Sequence, residues 1–385
     1  MSHFNLTTPG AKMLSWIQRM MAVARGARAG QDVDSLSLPL RSASSTSSPI
    51  TLLGSVWSPP GWMKQNNNLQ WQYVDAWVKY MVSYIQQYRA AGVHVDAVTL
   101  QNEPLHSADE AWTMYMDASY QGILANRLGA ALAAEARADD GKRISTNDAV
   151  RAQTTAIWAY DHNTDHPEYP QYVLENASKY VSTVAWHCYS GTSGWEVLSA
   201  FREANPHAKQ YMTECWTHSP GEGFFDLPSF VMGPLQNWAN GAMAWTLGGS
   251  TAFNVAYPGG CKPCSGLVQV DMDAGTYSFT SDYYTMGQFS AFVRRNATYQ
   301  TSTGGHVYPD KTGVVVTAFV NPATASTLVG GEAAPAAAAA AVVVGRRVVV
   351  IQNRIRNDLN ITVTFKSGDS FVGLVRGRSV TTWVV

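Results

Sequence analysis

The strongest constraint on the fold is a regular alternation of short apolar runs with helical segments between residues 50 and 250. The run at residues 50–56 is ended by a Trp-Ser-Pro-Pro-Gly segment. A helical stripe follows, in which apolar side chains recur at the spacing of one helix face: Val74, Trp77, Val78, Met81, Ile85 and Tyr88. Gly92 ends this helix, and residues 93–100 form the next β-branched run. A strand, a loop, a helix and a second strand in this order are typical of a parallel sheet.

The same alternation repeats along the chain, and each predicted strand ends in polar or aromatic side chains. These strand-end clusters are Gln101–Glu103, Asp161–Asn163, His187–Tyr189, Glu214–Trp216 and Trp245–Thr246. In a (β/α)8 barrel, the carboxyl ends of the strands form the rim of the active site, so this pattern predicts an α/β fold of the TIM-barrel type. A doubly wound sheet is the alternative, but it usually carries a Gly-rich phosphate loop early in the chain, and the sequence has none.

The character of the chain changes after about residue 300. Between Asn, Asp and Gly turns lie β-branched runs that begin at Val314, Arg347, Ile361 and Val380. This pattern predicts a C-terminal antiparallel β-sandwich module. We therefore expect a barrel domain over residues 1–300 and a β-sandwich domain over residues 301–385. A Ser-rich segment at about 32–48 and an Ala-rich segment at about 323–341 are interpreted as insertions without a chemical role.

Charge and composition argue against two classes of function. The 385 residues include 27 Lys and Arg against 28 Asp and Glu, and only 14% of the chain is charged. A nucleic-acid-binding face or a polybasic membrane surface would concentrate basic residues, and no long basic run is present. No apolar run reaches the length of a membrane span. The chain is instead rich in aromatic residues, with 13 Trp, 18 Tyr and 12 Phe, and flat aromatic faces suit carbohydrate rings.

Sequons and cysteines bear on the cellular compartment. Glycosylation sequons begin at Asn5, Asn176, Asn296 and Asn360. They predict a secreted or secretory-lumen protein, because glycosylation occurs only there. Cys261 and Cys264 flank a Lys-Pro pair in a Gly-rich segment, and a local disulfide is the preferred interpretation because no second ligand pair for zinc follows. Cys188 and Cys215, which adjoin strand-end residues, are predicted to be free thiols packed near the rim.

Two glutamates end predicted strands, Glu103 in an Asn-Glu-Pro motif and Glu214 in a Thr-Glu-Cys motif. Hydrolysis of a glycosidic bond needs two carboxyl groups on opposite sides of the anomeric carbon. One protonates the leaving oxygen, and the other attacks the carbon or activates water. Parallel strands of one barrel can deliver both groups to the same rim. The alternative is that each is an ordinary loop glutamate, since the chain has 28 acidic residues.

Four motifs carry a resemblance to a known family. They are Trp57-Ser-Pro-Pro-Gly-Trp-Met-Lys, Leu100-Gln-Asn-Glu-Pro, Trp186-His-Cys-Tyr and Met212-Thr-Glu-Cys. In this order and spacing they resemble glycoside hydrolase family 30, the group that contains glucosylceramidases and endo-β-1,6-glucanases. The resemblance runs from about Ala11 to the C-terminus. It implies a (β/α)8 barrel with an attached β-sandwich, and hydrolysis of β-glucosidic bonds by double displacement with retention of the anomeric configuration.

The resemblance also implies roles for individual residues. Glu103 would be the general acid/base and Glu214 the nucleophile, while Asn102 would donate to the sugar 2-hydroxyl. The subsite that holds the cleaved sugar would be lined by Trp57, His187, Tyr189 and Trp245. Alternatively, Asn102 shapes the turn before a proline, and the tryptophans belong to the core. Residues 161–163 (Asp-His-Asn) are weaker candidates for the acceptor side. No metal and no cofactor is implied.

The chain departs from the family pattern at its beginning. Before the helix that residues Met13–Ala24 resemble, family members carry an N-terminal β segment and two βα units. We therefore expect a barrel that lacks its first two βα units, with the signal peptide lost alongside them. Three hypotheses follow: a hydrolase of a β-glucoside in a glycolipid or a β-1,6-glucan, a catalytically impaired carbohydrate-binding remnant, or a xylan or β-1,6-galactan hydrolase of the same mechanism. Neither the substrate nor the oligomeric state follows from the sequence.

Overall fold

The computed structural model describes residues 10–24, 50–106, 112–142, 155–190, 194–215, 227–252, 265–303, 305–307, 313–323 and 345–385. The chain divides into two compact units, Met1–Tyr211 and Met212–Val385. The predicted domain boundary at residue 300 falls inside the second unit. The Ser-rich segment and nearly all of the Ala-rich segment lie outside the described residues.

The first unit alternates strands and helices. Its helices are α1 (Gly10–Ala24), α2 (Val74–Ala90), α3 (Ala118–Lys142), α4 (Glu168–Ala177) and α5 (Glu196–Ala204). Its strands are β1 (Leu53–Ser55), β2 (Lys64–Gln65), β3 (Asn68–Leu69), β4 (Ala97–Thr99), β5 (Ala156–Asn163), β6 (Val181–His187) and β7 (Lys209–Glu214), the last of which ends in the second unit. Two short 3₁₀ helices, Gly61–Met63 and Trp71–Tyr73, precede α2.

Five of these strands form one sheet in the order β1-β4-β5-β6-β7. The pairs β1–β4, β4–β5 and β5–β6 are parallel, as the strand–helix alternation of the sequence predicts. Helices lie between successive strands, so the carboxyl ends of the parallel strands share one edge of the sheet. This confirms the α/β class.

Helix α2 shows how local sequence fixes an element. All six apolar residues of the predicted stripe are buried, so the helix packs one face on the rest of the unit. Its end at Ala90 is followed by Gly92 in the left-handed region with φ 78°, and the Val93 amide donates to the Tyr88 carbonyl at 2.9 Å. Glycine suits this position because it has no Cβ to clash in that conformation.

The second unit begins with an α/β segment and continues as a β-rich module. Its helices are α6 (Leu227–Gln236) and α7 (Ser281–Ser290). Its strands are β8 (Gly248–Ser250), β9 (Val268–Asp271), β10 (Thr276–Phe279), β11 (Thr298–Gln300), β12 (His306–Val307), β13 (Gly313–Val320), β14 (Arg347–Asn353), β15 (Leu359–Thr364), β16 (Ser370–Val375) and β17 (Ser379–Val384). The strand expected just before Trp245 is reduced to one parallel bridge, Met212 with Ala242.

The C-terminal strands pair antiparallel, with a sheet in the order β11-β13-β14-β17, to which β12 adds through β13. Strands β15 and β16 form a separate hairpin. Val375 of this hairpin packs with Ala318, Val349 and Ile351 of the sheet, and all four are buried. The hydrophobic effect of this apolar cluster therefore holds the hairpin on the sheet.

The cysteines differ from the prediction. Cys188 and Cys215 are both disulfide-bonded, so the prediction of free thiols is wrong. A disulfide requires the Cα atoms to approach within about 4.4–6.8 Å, and the tertiary fold rather than the local sequence sets that distance. The predicted Cys261–Cys264 bond lies outside the described residues. Among the helices that the structure describes, none is long and apolar enough to cross a membrane.

Candidate active site

Glu103 follows β4 at the carboxyl edge of the parallel sheet. Its backbone has φ 47°, a left-handed conformation that is uncommon for any residue other than glycine. The Glu103 amide donates to the Asp161 carbonyl at 2.9 Å, and its carbonyl accepts from the His106 amide at 2.8 Å. Its side chain is 24% exposed. These backbone bonds hold a strained residue in place, which is typical of functional sites.

Asn102 and Trp57 are held beside Glu103 by bonds between two strand ends. The Asn102 amide donates to the Val56 carbonyl at 2.6 Å. The side-chain nitrogen of Gln101 donates to the carbonyl oxygens of Trp57 at 2.7 Å and Asn102 at 2.9 Å. Asn102 is buried, whereas the Trp57 side chain is 39% exposed. The segment after β1 and the segment after β4 are therefore fixed to each other.

His187, at the end of β6, stands between two carboxyl groups. Its Nδ1 lies 3.3 Å from Glu103 Oε1, and its Nε2 lies 3.1 Å from Asp161 Oδ1. Both His187 and Asp161 are buried. The imidazole thus connects the predicted general acid/base to a buried carboxyl group on β5, the strand next to β4.

The surroundings of Asp161 fix the proton on His187. The hydroxyl groups of Ser55 and Thr99 donate to Asp161 Oδ2 at 2.7 and 2.6 Å. A carboxylate in this setting can only accept, so His187 donates to it through Nε2–H. His187 Nδ1 and Glu103 Oε1 then share one proton, which belongs either to a neutral carboxyl group or to an imidazolium.

Electrostatics around Glu103 favour its ionised form. Burial raises the pKa of the Glu103 carboxyl group, but the hydrogen bond and charge of His187, together with smaller electrostatic effects of neighbouring histidines, hold the pKa below its ordinary value. A general acid needs a proton at the start of the cycle. The lowered pKa means that Glu103 can act as the acid only once substrate binding shifts its pKa upward again.

His162 has a different role from His187. Burial lowers its pKa to about 4, so the ring is neutral near pH 7. Its Nδ1 lies 3.3 Å from the Leu105 amide, which donates to it. His162 therefore supports the segment that follows Glu103. Nearby, Asn163 Oδ1 accepts from the Tyr189 amide at 2.9 Å, and the Tyr189 ring meets the His187 ring edge-on at 5.9 Å.

The placement of Asp161 depends on a bulge in β5. The register with β6 shifts so that Tyr160 pairs with Ala185 and His162 with Trp186, which leaves Asp161 as an extra residue. Tyr160 and Asp161 have φ of 76° and 72°, and the Tyr160 amide is satisfied by Gln121 Oε1 at 2.8 Å. Bulges of this kind re-aim side chains near active sites.

Sequence reasoning ranked Asp161 as a weak candidate and missed Ser55 and Thr99. A bulge leaves no periodic signal in the sequence, and strand hydroxyls are common in any sheet. The position of Ser55 and Thr99 at the ends of β1 and β4 was the one available signal.

The remaining predicted site residues lie in the second unit. Glu214 is the last residue of β7 and is partly buried. The next residue, Cys215, is fully buried, and its carbonyl oxygen accepts from the Trp245 amide at 2.7 Å. Trp245 is therefore fixed beside the end of the strand that carries Glu214. The peptide bond between Trp245 and Thr246 is cis.

Comparison with known proteins identifies the family. Residues 31–232 match the model of the glycosyl hydrolase family 30 TIM-barrel domain. The chain belongs to glycosyl hydrolase family 30. The resemblance carried by the four sequence motifs is thereby confirmed.

Two fungal relatives in the comparison are endo-1,6-beta-D-glucanases. The chain is 42% identical over 349 residues to an endo-1,6-beta-D-glucanase of Neurospora crassa, covering 87% of this chain and 65% of the relative. It is 40% identical over 358 residues to an endo-1,6-beta-D-glucanase of Aspergillus fumigatus, with the same coverage of both chains. The chain thus spans 65% of the length of these curated relatives. Among solved structures, an endo-beta1,6-glucanase superposes with a TM-score of 0.70 at 25% identity, covering 87% of this chain and 71% of that chain.

Proposed function

We propose that this family 30 chain carries the catalytic machinery of a retaining β-glucan hydrolase that cleaves β-1,6-glucosidic bonds. The observation that carries the proposal is Glu103 at the end of β4, sharing a proton with His187, which Asp161 orients. The similarity to endo-1,6-glucanases of two fungi supports the choice of substrate. A β-glucosyl glycolipid is the second candidate, because the motifs also resemble those of glucosylceramidases.

The reaction proceeds in two displacements. In the first, the Glu214 carboxylate attacks the anomeric carbon, the glycosidic C–O bond breaks, and Glu103 gives its proton to the leaving oxygen. In the second, water attacks the anomeric carbon of the glycosyl ester, Glu103 takes the proton from water, and Glu214 leaves as a carboxylate. Two inversions give net retention.

The pair Glu103 and His187 supplies the proton that this cycle needs. With substrate bound, loss of water around Glu103 raises the pKa of its carboxyl group, because burial disfavours the charged form. The shared proton then resides on Glu103 and can reach the leaving oxygen. After the transfer neither Glu103 Oε1 nor His187 Nδ1 holds the shared proton, so the pair can take up the proton of the attacking water in the second displacement. No metal or cofactor takes part in this proposal.

The contributions of the two glutamates are separable by substrate. We expect Glu214→Gln to abolish release of reducing ends from soluble β-1,6-glucan and also the cleavage of an aryl β-glucoside with a good leaving group. Glu103→Gln should lose about 10²–10⁴-fold on the glucan. It should still release the aryl group in a first burst, because that leaving group needs no proton. The matched control is Glu175→Gln on the exposed side of α4, which should retain full activity.

Anomeric products and a substrate panel decide between the hypotheses. NMR of the products shows their anomeric configuration. Retention of that configuration supports the roles given to Glu103 and Glu214, whereas net inversion would contradict the assignment of Glu214 as nucleophile. Faster turnover of β-1,6-glucan than of glucosylceramide, xylan or β-1,6-galactan supports β-1,6-glucan as the substrate. Binding of glucan without turnover in the unsubstituted chain, at concentrations where a full-length relative is active, would favour the carbohydrate-binding remnant.

We also propose that β1, β4, β5, β6 and β7 correspond to the third to seventh strands of a (β/α)8 barrel, that the described residues hold no counterpart of its first two βα units, and that the C-terminal strands form a β-sandwich. The superposition on a solved endo-beta1,6-glucanase and the packing of the β15–β16 hairpin on the antiparallel sheet support this assignment. A crystal structure would test it. A first strand paired to the free edge of β1 within the same chain would contradict it.

We also propose that the protein is secreted. Three of the sequon asparagines, Asn176, Asn296 and Asn360, are exposed, as glycan attachment requires, and Asn5 lies outside the described residues. Expression in a secretory host should give a product whose mass falls on treatment with an N-glycan-removing enzyme. Asn→Gln variants at the three exposed sites should remove that shift in steps, and a product without any glycan would contradict the proposal.

A further inference from the structure

Trp62 lies on the connection between β1 and α2, residues 56–73. This connection starts at the carboxyl end of β1 and ends at the beginning of α2, so it belongs to the edge of the sheet where Glu103 lies. The Met63 amide donates to the Pro60 carbonyl and the Gln70 amide to the Met63 carbonyl, both at 2.9 Å. Trp62 therefore has a fixed position at this edge.

Further bonds fasten the connection to the segment before α3. Lys64 Nζ donates to the Thr113 carbonyl at 2.6 Å, the Tyr115 amide to the Asn67 carbonyl at 2.9 Å, and the Tyr120 hydroxyl to the Leu69 carbonyl at 2.9 Å. Met63 and Leu69 are buried beneath it. The connection is thus anchored by its apolar residues and backbone, independently of the Trp62 ring.

Trp62 nevertheless remains 59% exposed, although the next residue, Met63, is buried. Its ring meets Tyr73 nearly at a right angle, with the centroids 5.2 Å apart. Grouped exposed apolar side chains, unlike single scattered ones, mark binding surfaces. Trp57, also exposed, lies five residues earlier on the same connection, which places their Cα atoms no more than about 18 Å apart.

Trp71 offers a contrast at the same exposure. Its side chain is 60% exposed, but its ring stacks on Tyr120 with centroids 5.8 Å apart, and the Arg127 guanidinium lies 5.9 Å from the ring centre. Arg127 is in turn held by Asp75 at 2.7 Å. The Trp71 indole therefore already makes stacking and cation–π contacts within the protein.

Resting on the function proposed above, we infer that Trp62 forms a sugar-stacking subsite for a glucosyl unit of a β-linked glucan chain beyond the unit held at Trp57. An endo-acting enzyme must hold several units of its polymer. The flat indole provides an apolar face for one ring, and the continuity of the connection places it next to the site of cleavage. The neighbouring Asn66 and Asn68 supply polar groups at the same edge.

The test is binding rather than turnover, so that it does not depend on activity. All variants carry Glu214→Gln, which stops hydrolysis. Titration calorimetry measures how tightly they bind a soluble linear β-1,6-glucan and, in a separate experiment, methyl β-glucoside. Trp62→Ala should weaken glucan binding about tenfold, a factor that corresponds to 1.4 kcal/mol, and leave methyl β-glucoside binding unchanged. Trp62→Phe should retain most of the glucan affinity. Trp71→Ala, the matched control, should retain all of it.

Three results would overturn the inference: unchanged glucan binding in Trp62→Ala, an equal loss in Trp71→Ala, or no glucan binding by the parent chain. Circular dichroism checks that each variant is folded. The proposed function fails separately, because hydrolysis is measured on the chain with Glu214 intact. Glucan binding that depends on Trp62 without hydrolysis supports the subsite and contradicts the activity, and hydrolysis that is independent of Trp62 does the reverse.

Discussion

Asp161 of the sheet in the first unit and Asn353 of the antiparallel sheet in the second are both buried polar residues, but their hydrogen bonds go to different partners. Asp161 bonds to other side chains, the hydroxyls of Ser55 and Thr99 and the imidazole of His187. Asn353, at the end of β14, bonds to backbone: its Nδ2 donates to the Asn357 carbonyl at 2.9 Å and the Arg376 carbonyl at 3.1 Å, and its Oδ1 accepts from the Ile355 amide at 3.0 Å.

This difference separates a residue that acts in the proposed reaction from one that stabilises the fold. A buried polar group that bonds only to backbone replaces missing ladder bonds and fixes a turn. A buried carboxyl group that is hydrogen-bonded to an imidazole can set the protonation state of a second, partly exposed carboxyl group on the other side of that ring. The first arrangement should matter for stability and the second for activity. The following substitutions test this division.

The largest effect is expected for Asp161→Asn. The amide can still meet the hydroxyls of Ser55 and Thr99, but it does not balance a positive charge on His187, so the proton shared with Glu103 is held less tightly. Turnover of β-1,6-glucan should fall about 100-fold or more, and the basic limb of the pH–rate profile should move to lower pH. Steady-state rates across pH measure both.

The control is Asp117→Asn, in which an exposed carboxyl group that caps the start of α3 is replaced in the same way. It should leave the pH profile unchanged. If Asp161→Asn lowers stability and leaves the pH profile in place, Asp161 is structural and the distinction between the two sheets fails.

The next largest effect concerns His162 and pH. Its pKa is about 4 in the folded protein and about 6.5 in the unfolded chain. The unfolded state binds the proton more tightly, so stability is full above pH 6.5, falls as the pH drops towards 4, and levels off below. A shift of about 2.5 units corresponds to roughly 3 kcal/mol.

His162→Asn, which keeps an acceptor for the Leu105 amide, should remove this loss. Urea unfolding of the unsubstituted chain and of His162→Asn, each at pH 7 and pH 4.5, measures this pH-dependent loss of stability. An identical pH dependence in both would show that His162 is not held neutral by burial.

Asn353→Ala should act on stability alone. It removes the donor to the partly buried carbonyl oxygens of Asn357 and Arg376 and the acceptor of the Ile355 amide, which should lower the free energy of unfolding by about 2 kcal/mol. Chemical denaturation gives this value, and activity per folded molecule should be unchanged. A loss of turnover without a loss of stability would contradict the assignment of Asn353 to architecture.

The smallest effect is expected for Ile351→Val in the apolar cluster of the second unit. Ile351 is fully buried, and removal of one methyl group should cost about 1 kcal/mol. The midpoint of urea unfolding should shift with an unchanged slope. A change in glucan turnover beyond the experimental error would show that the second unit's core is coupled to catalysis.

The sequence by itself determined the alternation of strands and helices, because apolar periodicity and punctuation by glycine and proline act locally. The buried face of α2 and the strand ends at Glu103, His187 and Glu214 follow from it. Motif order identified the family, since several short chemical motifs in one order rarely recur by chance.

Only the tertiary structure decided which strand-end groups meet. The bulge that turns Asp161 towards His187, the hydroxyls that hold it and the oxidation of Cys188 and Cys215 all depend on distances between residues far apart in sequence. Hydrogen bonds and disulfides form over a few ångströms, and no local pattern encodes those distances.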